Sequence, residues 1–268
     1  MIKTKINFEV LTDSKIKLNI NIIETKIIIY FTVCCINNYI DVFDKIIDYI
    51  YSSKLYDLIY EIRLIIFNKE EDLLLQKYYS HQKIKIIKTF KENFGNNTEH
   101  YTLNILQEDS KVEDFYVLYL HTKGVSARHQ NENMQNKIND WVNYLLYFNI
   151  YHYKYILDNI ESYSAIGVDL NGYGNTIDTL SDLIKKEGLC GPNYPYLFGG
   201  NFWWSKSEYI KNINKCEEIY PAAEVFITRG KLGKFLCLWN SKVNFYEQNY
   251  SKKEYESKEL QCYTSSNL

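Results

Sequence analysis

Two hydrophobic periodicities alternate along the chain. Runs rich in β-branched and aromatic residues stand at 26–35, 61–67, 83–89, 114–120, 164–169 and 234–239, each of strand length. Between them, 41–51 places Val42, Ile46, Ile47 and Ile50 on one helical face. Residues 97–107 open on an Asn/Thr cap signal and predict a second helix, after a separator at 70–79. A long helix is predicted over 136–160, with Trp141, Leu145, Phe148 and Tyr155 as its apolar stripe. Pro221, a favoured first-turn residue, predicts one more helix start. Strands alternating with helices predict a single α/β domain, a mostly parallel central sheet flanked by helices.

Glycine and proline mark where the loops fall. No Gly precedes Gly95, ten of the eleven lie from Gly124 onward, and the three Pro fall between Pro192 and Pro221. The turns that need unusual backbone geometry are therefore expected in the second half. Residues 247–268 are polar enough to predict a loosely held tail.

Composition excludes several classes. The chain has 268 residues, of which 46% are hydrophobic and 16% aromatic, enough for a large core. Its 33 Ile, 28 Lys, 27 Asn and 26 Tyr, against only 3 Arg, follow AT-rich codons. A net charge of -2, spread in both signs along the chain, gives no polyanion-binding surface, so no nucleic-acid partner is expected. The apolar stretch 27–36 is about half of what a transmembrane helix needs, and residues 1–10 alternate charged and apolar positions without forming a secretory signal. A cytoplasmic chain without a transmembrane segment is expected. The six Cys show no two-residue spacing and read as buried small side chains.

The candidate chemistry sits at two places. The strand at 114–120 ends on His121, Thr122, Lys123 and Gly124, bringing an imidazole, a hydroxyl and an ammonium to the carboxyl end of a strand, where open α/β sheets bind ligands. Lys123 can neutralise a phosphate, Thr122 can donate to it, and His121 can bind phosphate, ligate a metal or carry a proton. The same four residues would also make a plain polar turn. The second place is Gly199, Gly200, Asn201, Phe202, Trp203 and Trp204: the glycines let backbone approach a ligand, and the two Trp point to opposite faces if extended. One indole is then core while the other lines a cleft, although a strand with two buried aromatics fits the pattern equally. Glu224 falls three residues into the helix predicted from Pro221, near its positive end. Arg229 stands where Lys is the default, which points to an ion-pairing task. No nucleophile elbow, Walker loop or Rossmann glycine pattern occurs.

With these residues in place, the chain resembles a family of A-type glycosyltransferase-like proteins of bacteria, protists and large DNA viruses. The matching blocks run in order: YIYSSKLYD at 49–57, EHYTL at 99–103, VLYLHTKGVS at 117–126, DWVNYLLYF at 140–148, AIGVD at 165–169, GGNFWW at 199–204 and AEVFI at 223–227. The resemblance implies a nucleotide-sugar fold over residues 1–246, with a nucleotide-binding half at about 26–126 and an acceptor half at about 127–246. It implies transfer from a nucleotide-diphosphate sugar, a UDP-sugar, to a hydroxyl of a glycan or protein. Thr32, His121, Thr122, Lys123 and Gly124 would serve the donor; Asp169, Gly199, Gly200, Asn201, Trp203 and Trp204 the sugar and acceptor; Glu224 would be the base. Two departures stand out. His121-Thr122-Lys123 occupies the place of an Asp-x-Asp metal motif, so the expectation is that no cofactor is required, with Mn²⁺ or Mg²⁺ held in part by His121 as the alternative. Thr32 stands near the first strand where relatives carry His. The runner-up is a non-catalytic glycan- or nucleotide-binding module on the same fold; a nucleotidyltransferase is disfavoured by the lack of a glycine-rich loop after the first strand.

Overall fold

The computed structural model describes residues 2–8, 18–68, 77–78, 81–91, 98–126, 131–170, 197–219, 222–230 and 233–265. The chain opens with β1 (Ile2–Phe8) and β2 (Leu18–Glu24), an antiparallel two-stranded sheet that the sequence pattern did not suggest. Then follow β3 (Lys26–Cys34), α1 (Tyr39–Ser52), α2 (Leu55–Leu58), β4 (Glu61–Phe67), β5 (Ile84–Phe90), α3 (Glu99–Asp109) and β6 (Phe115–His121). Next come α4 (Glu132–Leu146), a π-helical turn at Tyr147–Tyr151, α5 (Tyr153–Asn159), β7 (Ala165–Gly167), β8 (Trp203–Lys206), α6 (Ser207–Ile210) and α7 (Ala222–Val225). The chain ends with β9 (Phe235–Cys237) and β10 (Tyr263–Thr264).

Eight strands form one sheet in the order β10-β9-β7-β8-β6-β3-β4-β5. The pairs β3/β4, β3/β6, β4/β5 and β7/β9 are parallel, whereas β8 runs against both β6 and β7, and β10 against β9. This is the mostly parallel α/β sheet that the alternation of elements predicts. Helices α1 and α4 cover one face, burying Phe31, Phe43, Leu118, Trp141 and Trp204; α3 and α7 cover the other, over Tyr30, Tyr119, Trp203, Leu103 and Val225. Burial on both faces is why β3 and β6 read as unbroken apolar runs instead of alternating ones.

Several boundaries differ from the pattern. β6 takes in His121, because its backbone continues to pair with Thr32 of β3. The long helix at 136–160 is interrupted. Trp204 Nε1 donates to the Asn149 carbonyl at 2.7 Å, and the Asn149 amide donates back to the Leu145 carbonyl at 3.0 Å, so helix-internal partners are exchanged for side-chain ones at the π turn. The polar tail is packed: Tyr255 is fully buried against Tyr144 and Phe148, and β10 extends the sheet beyond β9. A few apolar residues in a polar segment suffice to anchor it. Pro192, Pro195, Pro221 and most of the separator at 70–79 lie outside the described residues. Among the described residues no helix is long and apolar enough to cross a membrane.

β3 has β4 on one side and β6 on the other, so chain order reverses there. The crevice beyond the carboxyl ends of β3 and β6 is the topological switch point, the usual ligand position in open α/β sheets.

Candidate functional site

Thr32 and His121 face each other in register at the ends of β3 and β6, and Tyr119 pairs with Trp203 of β8. Alternation along β6 puts Tyr119 and His121 on the α3 face of the sheet. Glu99, in the first turn of α3, reaches down to them. Its Oε2 accepts from the Tyr119 hydroxyl at 3.0 Å and from Asn201 Nδ2 at 2.7 Å, and its Oε1 lies 3.6 Å from His121 Nδ1. Thr32 Oγ1 donates to Thr102 Oγ1 at 2.7 Å and lies 3.1 Å from the Tyr119 hydroxyl. His121 Nε2 donates to the Gly200 carbonyl at 3.0 Å. Asn201 Nδ2 also reaches the Ala223 carbonyl at 3.3 Å, while its Oδ1 accepts from Trp203 Nε1 at 2.8 Å.

Gly124 and Gly200, the turn glycines of the two motifs, are required by geometry. Gly124 has φ +85° and Gly200 has φ +84°. A Cβ would stand 2.3 Å from Ile138 at the first and 2.6 Å from Leu145 at the second, so both turns close directly onto α4. The Gly199 N–H donates to the carbonyls of Val168 and Asp169, fixing the start of its turn.

The ionisable groups here are strongly perturbed. Burial raises the Glu99 carboxyl, against the lowering effect of Lys123 and of the hydrogen bonds from Asn201 and Tyr119. Burial, reinforced by Lys123, pushes His121 down to about 4, so the imidazole is neutral at neutral pH. Glu224 is raised by burial; Lys123 opposes this, and the neighbouring Glu99 adds to it. Glu224 is half-buried and accepts no hydrogen bond from any of the described residues. Lys123 holds its ammonium 4.1 Å from the Trp141 ring centroid. The Lys123 charge thus acts on Glu99, His121 and Glu224 together.

Lys123 and Gly124 also line a cleft of about 460 Å³ at the switch point, with Asn38, Lys45, Gln135 and Asn139 on its walls. Lys45 Nζ donates to Asn139 Oδ1 at 3.3 Å, and burial lowers its pKa. Lys45 and Lys123 bring two ammonium groups to the cleft and Asp41, in the first turn of α1, one carboxylate, so its walls carry a net positive charge beside the amino end of that helix.

The residues singled out from sequence divide into groups. His121 and Asn201 meet Glu99 directly; Thr32, Gly200 and Trp203 reach it through Tyr119, His121 and Asn201, and Lys123 and Glu224 act on it by charge. Thr122 turns away and accepts the Cys34 N–H at 3.0 Å, bracing the end of β3. Asp169, fully buried with φ +47°, accepts the Ser241 N–H at 2.6 Å and is pushed up to about 7 by burial; its carboxyl holds the turn after β9. The two Trp do take opposite faces, but both are fully buried: Trp203 stacks on Tyr119 at 5.0 Å, and Trp204 anchors the π turn. Neither indole lines a cleft, because the sheet is covered on both sides. Arg229 pairs with Glu217 and donates to the carbonyls of Asn214 and Lys215. Both His121 nitrogens face protein partners, and among the described residues no group of three His, Cys, Asp or Glu is placed to hold a metal ion. Glu99 was not singled out from sequence; the available signal was an acid in the first turn of a helix entering the sheet from its carboxyl end.

The chain matches no protein-family model and no curated protein sequence.

Proposed function

We propose that this chain is a glycosyltransferase that moves a sugar from a nucleotide-diphosphate donor, a UDP-sugar by the family resemblance, to the hydroxyl of a glycan or protein acceptor. The observation that carries the reading is Glu224: a half-buried carboxylate without a hydrogen-bond partner among the described residues, acted on by the charge of Lys123, which lines the switch-point cleft. The diphosphate lies in that cleft, with Lys123 and Lys45 neutralising its charge. Glu224 takes the proton of the acceptor hydroxyl as its oxygen bonds to the anomeric carbon. The bond from that carbon to the diphosphate oxygen breaks, and the nucleoside diphosphate leaves with the electron pair. Thr32, Thr122 and His121 are hydrogen-bonded inside the protein and shape the end of the sheet beside this site. The steps above do not run through Mn²⁺ or Mg²⁺.

The test is the purified chain against a panel of nucleotides and nucleotide sugars, read by thermal shift and by donor hydrolysis. A nucleotide-specific shift with slow hydrolysis is expected. No response to any member would overturn the reading, and tight binding without transfer to any acceptor would favour a binding module instead.

A further inference from the structure

We propose that Glu99 is a positioning residue for Glu224, acting as the protonated half of a Glu99–His121 pair and fixing, through Asn201, the chain that carries the base. The hydrogen bonds can be directed without ambiguity. The indole of Trp203 only donates, so Asn201 must present Oδ1 to it, which leaves Nδ2 for Glu99 Oε2 and the Ala223 carbonyl. Ala223 immediately precedes Glu224, so the amide ties Glu99 to the backbone at the base. On the other side, the Gly200 carbonyl only accepts, so His121 Nε2 carries hydrogen. The neutral imidazole then has a bare Nδ1, and it faces Glu99 Oε1 at 3.6 Å.

Two bare lone pairs facing each other in a dry pocket repel, so one proton belongs to the gap. Glu99 Oε2 already receives two hydrogen bonds, from Tyr119 and Asn201, so the proton lies between Oε1 and Nδ1, and burial, which disfavours both charged forms, places it on Oε1. At 3.6 Å the contact is a close approach longer than a formed hydrogen bond. The charge count agrees. Lys123 and Glu224 offset each other, and a pair sharing one proton adds nothing, so the pocket is neutral; losing that proton would leave one uncompensated negative charge beside the base. The charged and titratable groups acting on Glu99 are Lys123, Tyr119 and His121 from β6 and its turn, Glu224 from α7, Cys34 from β3, and Cys216.

The activity arm of the test rests on the glycosyltransferase reading, whereas a second arm does not. Glu99→Gln reproduces the protonated acid, keeping an oxygen for Tyr119 and Asn201 and presenting N–H to His121. It is expected to keep kcat within about threefold, while Glu99→Ala loses about 10- to 100-fold in kcat with the thermal shift by UDP retained. Nitrogen-15 NMR of unmutated protein is expected to show His121 as the neutral Nε2–H tautomer at pH 7. A Glu99→Gln loss as large as that of Glu99→Ala, or an imidazolium at His121 at pH 7, would overturn the proposal. An imidazolium in the NMR arm overturns the pair even for a chain that transfers no sugar, so failure of the function and failure of the pair are told apart.

Discussion

His121 and Gly200, 79 residues apart in the chain, are joined by one buried hydrogen bond of 3.0 Å between imidazole and carbonyl. That bond connects the end of β6 to the glycine turn before β8, the two segments that the sequence singles out for candidate chemistry. Replacing His121 by Leu would leave the Gly200 carbonyl and Glu99 Oε1 facing an apolar side chain. The expected cost is about 1–3 kcal/mol of unfolding free energy, from an unsatisfied buried acceptor, measured by urea denaturation. An unchanged midpoint would show that the bond contributes nothing.

Two buried groups give the stability a particular pH dependence. His121 has its folded pKa depressed to about 4, below its unfolded value, so unfolding takes up a proton as pH falls and its contribution is lost from about pH 6.5 downward. Asp169 behaves oppositely: its folded pKa is raised to about 7, so the native state holds a proton that the unfolded chain has released, and stability falls as pH rises from about 4 through 7. Between about pH 4 and 6.5 the His121 slope opposes that of Asp169, to which Glu99 and Glu224, both raised by burial, add. Asp169→Asn, which keeps an acceptor for the Ser241 N–H, is expected to remove one of these falling slopes and turn the balance toward stability that rises with pH. Melting temperature followed across that range checks it, and a curve parallel to that of the unmutated chain would contradict the Asp169 assignment.

Lys123 is the one HTKG side chain that lines the cleft while acting electrostatically on Glu224. Lys123→Ala is expected to weaken UDP binding by about 10-fold or more, and the affinity that remains should depend less on salt. Titration calorimetry at two ionic strengths reads both effects. Equal affinity in the variant would place the diphosphate elsewhere.

The fold was legible to the extent that burial dictates sequence. β3, β4 and β6 are buried on both faces, so their Ile, Val, Leu and aromatic runs could carry few polar residues, and their boundaries follow from the pattern to within a residue or two. The site was half legible. His121, Lys123, Asn201 and Glu224 stood out by residue type at strand or helix ends, whereas Glu99 did not, because its importance comes from α3 meeting β6 and from Asn201 reaching it across 102 residues of sequence. Whether one of Trp203 and Trp204 lines a cleft or both are core stayed open in the sequence for the same reason: period two assigns opposite faces, but which face opens to a ligand depends on the helices above it. The break at Tyr147–Tyr151 was equally hidden, since it arises from one indole capturing one carbonyl.

Glu224 provides the sharpest test of the chemistry. Its carboxylate accepts no hydrogen bond from the described residues, so Glu224→Gln removes a basic oxygen without breaking a described contact, and the fold and UDP affinity are expected to be retained. Loss of a general base costs about 10²- to 10⁴-fold, which should fall on kcat and leave the KM for donor near its original value. The raised pKa of Glu224 fixes the direction of the pH profile: activity that needs the ionised carboxylate falls as pH drops, and it does so at a higher pH than for an ordinary exposed Glu. Transfer rates with saturating donor, measured across that range for both proteins, read the limb directly. Full activity in Glu224→Gln, or an acid limb that persists in it unchanged, would move the base to another residue.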